Sequence, residues 1–340
     1  MKKPKINIYI LLFTAFFIIL HISCSSDPGI NDPDEFRVGI VFDEGGKGDM
    51  SFNANAWRGA MKAKDEFAIT VKDVEPGDAS MIEPAVRTFA EQNFDLIIGV
   101  GFATKEAIEK VAGEFPETHF AIVDSEVDKP NVASLMFSEH EGAFIVGMIA
   151  ASLTKSGTIG YVGGMKIPLI IRVYLAYKAG AEYIDPDINV LENYAGITMT
   201  AWSDPNKGKE LALAQVARDA DIIFQAAGAT GMGVFDAVEE KRVFVIGSDA
   251  NQNHLKPGFV LTTMLKRLDV AVYEIIRETI SGSFRSGVHL FDLENNGMDY
   301  SVDEYNRDLI PAEIIRKVEE AKKAIIAGTL KVPDYYETLR

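Results

Sequence analysis

The chain has 340 residues, 47% of them apolar, and a formal net charge of −16. That length and composition give room for two domains with sizeable cores. A single cysteine excludes an internal disulfide framework and a cysteine-rich zinc site, and the acidic balance disfavours nucleic acid and anionic lipid surfaces as partners. In chain order, Lys2, Lys3 and Lys5 precede an apolar run from Ile8 to Leu20, and "HISCSS" follows. A basic start, an apolar stretch of about 7–15 residues and a small-residue end make an export signal. The run falls short of the about 20 residues that a membrane-spanning helix needs.

This stretch resembles a bacterial lipoprotein signal with a relaxed lipobox. The resemblance implies removal of residues 1–23 and lipidation of Cys24. The remaining chain has 31 basic and 50 acidic residues, a net charge of −19. Acyl chains on Cys24 are then expected to anchor it to a bacterial membrane, facing the periplasm or the cell exterior. Residues 24–35, containing "SSDPGINDPD", read as a flexible tether.

From Phe36 onward, apolar runs of strand length alternate with amphipathic stretches. "FRVGIVFD", "FDLIIGVG", "HFAIVDS" and "NVASLMF" form one series, and "TIGYVGG", "DIIFQAAG" and "RVFVIGSD" a second. Helical patterns occupy Asn55–Glu66, Pro84–Gln92, Thr104–Phe115, Asn206–Arg218 and Gly233–Lys241. Continuous apolar strands separated by helices predict parallel sheets covered on both faces. Two such series predict two lobes. "AFIVGMIAASL" from Ala143 is too short to span a bilayer and reads as a buried helix.

Polar residues gather at the carboxyl ends of the predicted strands: Asp43, Gly99 and Gly101, Asp124, Gln225 to Gly228, and Asp249. Each alone could cap the next helix. Together they describe two walls of a cleft, because open parallel sheets bind ligands beyond their carboxyl ends. The stretch "FDEGGKGDMSFN" lacks the Ser or Thr that follows the lysine of a phosphate loop, and its carboxylates repel phosphate. It also lacks the alternating oxygen ligands of a calcium loop. A neutral polar ligand fits it better: carboxylates accept hydroxyl or amino hydrogens, Asn53 donates and accepts, and Phe52 offers a flat face, unless that ring belongs to the core. Lys266 ends "LTTMLK". It is either an exposed strand-end lysine or a buried one paired with Asp249 over vicinal hydroxyls.

The blocks "GIVFDEGGKGDMSFNANAWRGA", "FAIVDS", "GTIGYVGGMKIP", "DIIFQAAGATGMGVF", "VIGSDANQ" and "LTTMLKRLDVAVYE" resemble, in order, the basic membrane protein family of bacterial lipoproteins. These are substrate-binding proteins of ABC transporters and include a purine nucleoside receptor. The resemblance implies the type I periplasmic binding protein fold, two Rossmann-like lobes joined by three crossover segments. Carried over, the crossings fall near Leu135–Glu139, Leu261–Met264 and Gly287–Asp292. Residues 36–136 and 263–288 then make the N-terminal lobe, and 137–262 and 289–340 the C-terminal lobe.

The resemblance also assigns roles. Asp43 and Asn53 face the base, Asp124 binds its edge, and Phe52 and Phe224 are the plates of an aromatic sandwich. Gly228 belongs to the same ligand-binding set, and Asp249 and Lys266 hold the ribose hydroxyls. It implies a monomer with no cofactor or metal, which presents inosine, guanosine or adenosine to an ABC permease. Two other readings stay open. A nucleoside-hydrolysing enzyme would use the cleft aspartates, although His119, His140, His254 and His289 are scattered. A surface-exposed adhesin would bind host molecules, although no motif marks such a site.

Overall fold

The first strand, β1 (Arg37–Val41), is buried at every residue after Arg37, as an apolar run does when both faces of its sheet are covered. In the computed structural model, which describes residues 35–43 and 45–339, this pattern recurs along the chain. The predicted signal peptide, Cys24 and nearly all of the tether lie outside the described residues. After β1 come α1 (Phe52–Phe67), β2 (Thr70–Val74), α2 (Ile82–Glu91), β3 (Leu96–Gly99), α3 (Lys105–Glu114), β4 (His119–Val123) and β5 (Val132–Phe137). The second series is α4 (Glu139–Leu153), β6 (Thr158–Met165), α5 (Pro168–Ile184), β7 (Asn189–Gly196), α6 (Pro205–Val216), β8 (Ile222–Ala226), α7 (Gly231–Lys241), β9 (Phe244–Asp249) and β10 (Val260–Lys266). The chain ends with α8 (Leu268–Ile280), β11 (Gly287–Phe291), β12 (Met298–Tyr300), α9 (Ala312–Ile326) and a short 3-10 turn at Tyr335–Leu339.

Among the described residues, two six-stranded sheets form, in the orders β11-β5-β4-β3-β1-β2 and β12-β10-β9-β8-β6-β7. The pairings are parallel except that of β10 with β12. The two orders match strand for strand, so the lobes share one doubly wound design. In each, the strand order reverses beside the first strand, and the carboxyl ends there open a crevice. The expected type I fold with two Rossmann-like lobes is the fold observed.

Three connections change sheets. β5 belongs to the first sheet, and α4, which follows, packs on α5 of the second lobe. The contact is close because Gly147 and Gly180 face each other's helices: a Cβ on Gly147 would lie 2.1 Å from the Tyr177 carbonyl oxygen, and one on Gly180 2.0 Å from that of Phe144. The second change follows Lys266, because α8 packs on α1. The third lies between β11 and β12.

Three expected boundaries move. Phe137 completes β5 and residues 289–291 complete β11 in the first sheet, and residues 263–266 complete β10 in the second. β10 is buried along most of its length and β11 is a largely exposed edge strand, and neither sequence pattern marks which sheet the strand joins.

Candidate functional site

The loop after β1 is organised by two carboxylates. Asp49 accepts hydrogen bonds from the backbone N–H groups of Ser51, Asn53 and Ala54, at 2.9, 2.9 and 3.0 Å. It thereby occupies the donors that the start of α1 would otherwise present to an anion. Burial pushes its pKa up to about 6, against the pull of those three donors. Asp43, at the end of β1, accepts from Asn53 Nδ2 at 2.7 Å and from the Gly45 N–H at 3.0 Å. This fixes the Asn53 amide, whose buried Oδ1 has no hydrogen-bond partner.

Asp124 and Asp249 stand just beyond β4 and at the end of β9, with φ of 63° and 64°. Aspartate tolerates this left-handed conformation better than most residues, and strain of this kind concentrates at functional sites. The turn it makes aims both carboxylates into the space between the sheets. Lys266 Nζ donates to both oxygens of Asp124, at 2.7 and 2.6 Å, and to Glu139 Oε1 at 2.8 Å. The expected pairing of Lys266 with Asp249 is thus replaced: its three hydrogen bonds go elsewhere. Asp249 instead accepts from Ser51 Oγ at 2.6 Å and from Ser248 Oγ at 3.2 Å. Gln252 Nε2 donates to the Met50 carbonyl, and Asn55 Nδ2 to that of Lys266. Each of these four ties except Ser248–Asp249 joins residues of different lobes.

A cavity of about 710 Å³, its open mouth included, lies between the lobes. It is bordered by Asp43, Phe52, Asn53, Asp124, Gly228, Asp249 and Lys266, which brings together seven of the eight residues expected to bind ligand. Among the described residues, five carboxylates line it (Asp43, Asp49, Asp124, Glu139 and Asp249) against the single ammonium of Lys266. Burial, reinforced by the charge of Glu139, pushes Asp124 up despite Lys266. Burial also raises Asp249. Burial works against ionised Glu139 as well, but Lys266 and Arg172 outweigh it and hold that carboxyl below its usual range.

Phe224 is the expectation that fails. Its ring is fully buried, edge-on to Tyr161 with centroids 5.6 Å apart and 5.1 Å from Tyr177. The reason is the rise of the strand: Phe224 sits two residues, about 6–7 Å, below Ala226 at the end of β8. Ala226, on the same face, reaches the cavity and brings no ring.

The aromatic on that wall is Trp202, at the end of a 3-10 turn spanning Met199–Trp202. Its indole fills the space left by a missing side chain, since a Cβ on Gly164 would lie 2.3 Å from Trp202 Cζ3. Its Nε1 is buried without a hydrogen-bond partner. Ile167, Leu169, Ile170 and Val173 extend the apolar wall along the start of α5. Phe52 borders the cavity at the start of α1, with Lys266 Nζ 5.2 Å from its ring centre. Sequence reading missed Trp202 and Glu139. "TAWSDP" carried a usable signal, a tryptophan in the connection that follows β7, at the end of the sheet where this fold gathers ligand contacts.

Two doubly wound lobes, three crossings and a polar, aromatic-bordered cavity between them define a type I solute-binding protein. The family model described as Bmp, ABC transporter substrate-binding protein PnrA-like, matches residues 36–335, and the chain belongs to that family. It is an ABC transporter substrate-binding protein. It is 33% identical over 322 residues to the "ABC transporter nucleoside-binding protein BmpA" of Lactococcus lactis, covering 88% of this chain and 89% of that one. It is 30% identical over 319 residues to an "uncharacterized lipoprotein" of Pyrococcus abyssi, covering 85% and 78%. Among solved structures, an ABC transporter solute-binding protein from Aeropyrum pernix superposes with a TM-score of 0.81 at 31% identity, covering 88% of this chain and 94% of that one. Members of this family bind solutes and deliver them to a permease. Among the described residues, no helix is long and apolar enough to cross a membrane.

Proposed function

We propose that this protein captures purine nucleosides between its lobes. The observation that carries the reading is the pairing of Phe52 and Trp202, aromatics from opposite lobes, on one cavity whose polar lining is mostly acceptors. Stacking on a base contributes about 1–3 kcal/mol per aromatic and tolerates any π face. Specificity then comes from hydrogen bonds, because buried acceptors left unpaired strongly disfavour the wrong ligand. Asn53 Oδ1, held by Asp43, and the carboxylate of Asp124 accept N–H groups of the base. Asp249 accepts ribose hydroxyls, with Lys266 beside it exchanging a carboxylate contact for a hydroxyl. Gly228 leaves room beside the Trp202 backbone. The excess of carboxylates disfavours nucleotides. The name of the Lactococcus relative agrees with this choice of ligand.

In this reading ligand bridges both walls, stabilises the closed lobes, and the closed form docks on an ABC permease. An acylated Cys24 holds the chain to the membrane, facing the periplasm or the exterior. The test is to purify the protein without denaturation, release its bound molecules by unfolding, and identify them by mass spectrometry. Inosine, guanosine or adenosine near one per chain is expected. A sugar or an amino acid at that stoichiometry would overturn the assignment.

A further inference from the structure

Arg172 does not border the cavity, yet it is 6% exposed and every face of its guanidinium is engaged. Nε and Nη2 donate to the two oxygens of Asp334 at 2.7 and 2.9 Å. Nη1 donates to the Phe137 carbonyl at 2.9 Å and to Glu139 Oε2 at 2.6 Å. The Tyr336 ring lies 4.7 Å from the guanidinium carbon, and Asp334 Oδ1 in turn accepts the Tyr336 N–H at 3.0 Å. Phe137 and Glu139 flank Ser138, where the chain first passes between lobes. Glu139 Oε1 binds Lys266, and Lys266 binds Asp124 on the opposite lobe.

Charges therefore alternate along Asp334, Arg172, Glu139, Lys266 and Asp124, from the segment after α9 to the wall of the cleft. A bidentate guanidinium fixes direction as well as charge. With both Asp334 oxygens and the Phe137 carbonyl taken, Arg172 holds Glu139 in one orientation, and Glu139 holds the ammonium.

We propose that the segment Asp334–Leu339 is a strap that sets the crossover at Ser138 and the placement of Lys266, so that Asp334, Arg172 and Tyr336 are positioning residues for ligand capture. Its effect on affinity rests on the reading of the cleft as a nucleoside site; its effect on the crossover does not.

The test uses the full chain with Asp334→Asn, a partly exposed site that keeps its size, and Tyr336→Ala as a second variant. Inosine affinity and amide hydrogen exchange are measured for each. The expected result is an affinity loss of about tenfold, within the usual range of coupling between linked sites. Exchange is expected to quicken at residues 137–139 and 266–268 in the ligand-free variants, and Asp334→Glu should restore part of both. Unchanged affinity with quickened exchange confined to residues 334–339 would overturn the strap. If the unaltered protein binds no nucleoside, the nucleoside reading fails, while exchange at the crossover still decides for or against the strap.

Discussion

Lys266 reaches from the second lobe to chelate Asp124 of the first, with Nζ 2.6 and 2.7 Å from the two carboxylate oxygens. Both side chains are 4% exposed, so the pair is shielded from solvent. Removing one partner of such a pair leaves an uncompensated buried charge and destabilises by about 3–5 kcal/mol. Lys266→Met is therefore expected to lower the free energy of unfolding by that amount in urea titrations. Adding Asp124→Asn should recover part of the loss, since asparagine removes the orphaned charge and tolerates the left-handed backbone at this position.

Trp202 and Phe224 separate binding from folding. Trp202→Ala is expected to weaken nucleoside binding by about 1–3 kcal/mol, the usual range for a base-stacking aromatic. Phe224→Ala should instead destabilise the fold by about 3–5 kcal/mol through a core cavity. Calorimetric titration and thermal unfolding of both variants check the division. Equal binding losses with no loss of stability would restore Phe224 as a plate.

Gly164 has a sharper consequence. A methyl there would meet the indole at 2.3 Å. Gly164→Ala is expected to displace Trp202, shift its fluorescence, and weaken binding as Trp202→Ala does, while the lobe remains folded.

The pH dependence has a definite sign. Asp49 has its pKa raised by burial from an ordinary 3.8 to about 6. Between those values the unfolded chain releases the proton while the folded chain keeps it, so the folded state binds more protons and stability falls as pH rises through this window. Across that window the effect amounts to roughly 3 kcal/mol. Asp49→Asn, which retains an acceptor for the start of α1, is expected to flatten the slope of unfolding free energy against pH between about 4 and 6. An unchanged slope would show that Asp49 ionises normally in the folded protein.

The alternation of apolar strands and amphipathic helices made the two-lobed design legible from the chain, because burial on both faces leaves uniform runs. The strand-end rule likewise located Asp43, Asp124 and Asp249. Phe224 was placed by the resemblance, which carries no depth along the strand; the ring sits two residues below the strand end at Ala226. Nor could the strand-end rule give the partner of Lys266. Asp124 and Glu139 lie 142 and 127 residues from Lys266 in sequence, and their meeting with it depends on how the lobes are joined. Trp202 stood in plain view, but its place in the site depends on the space at Gly164, a distance that residue spacing does not encode.

On the proposed reading, the cleft selects an uncharged purine with its sugar. Isothermal titration with inosine, guanosine, adenosine, the free bases and the corresponding monophosphates tests it most directly. The expected result is one site per chain that takes at least one nucleoside well below about 100 μM, a weak affinity on the usual scale, and takes monophosphates far more weakly. No nucleoside binding below that concentration, or preference for a monophosphate, would contradict it.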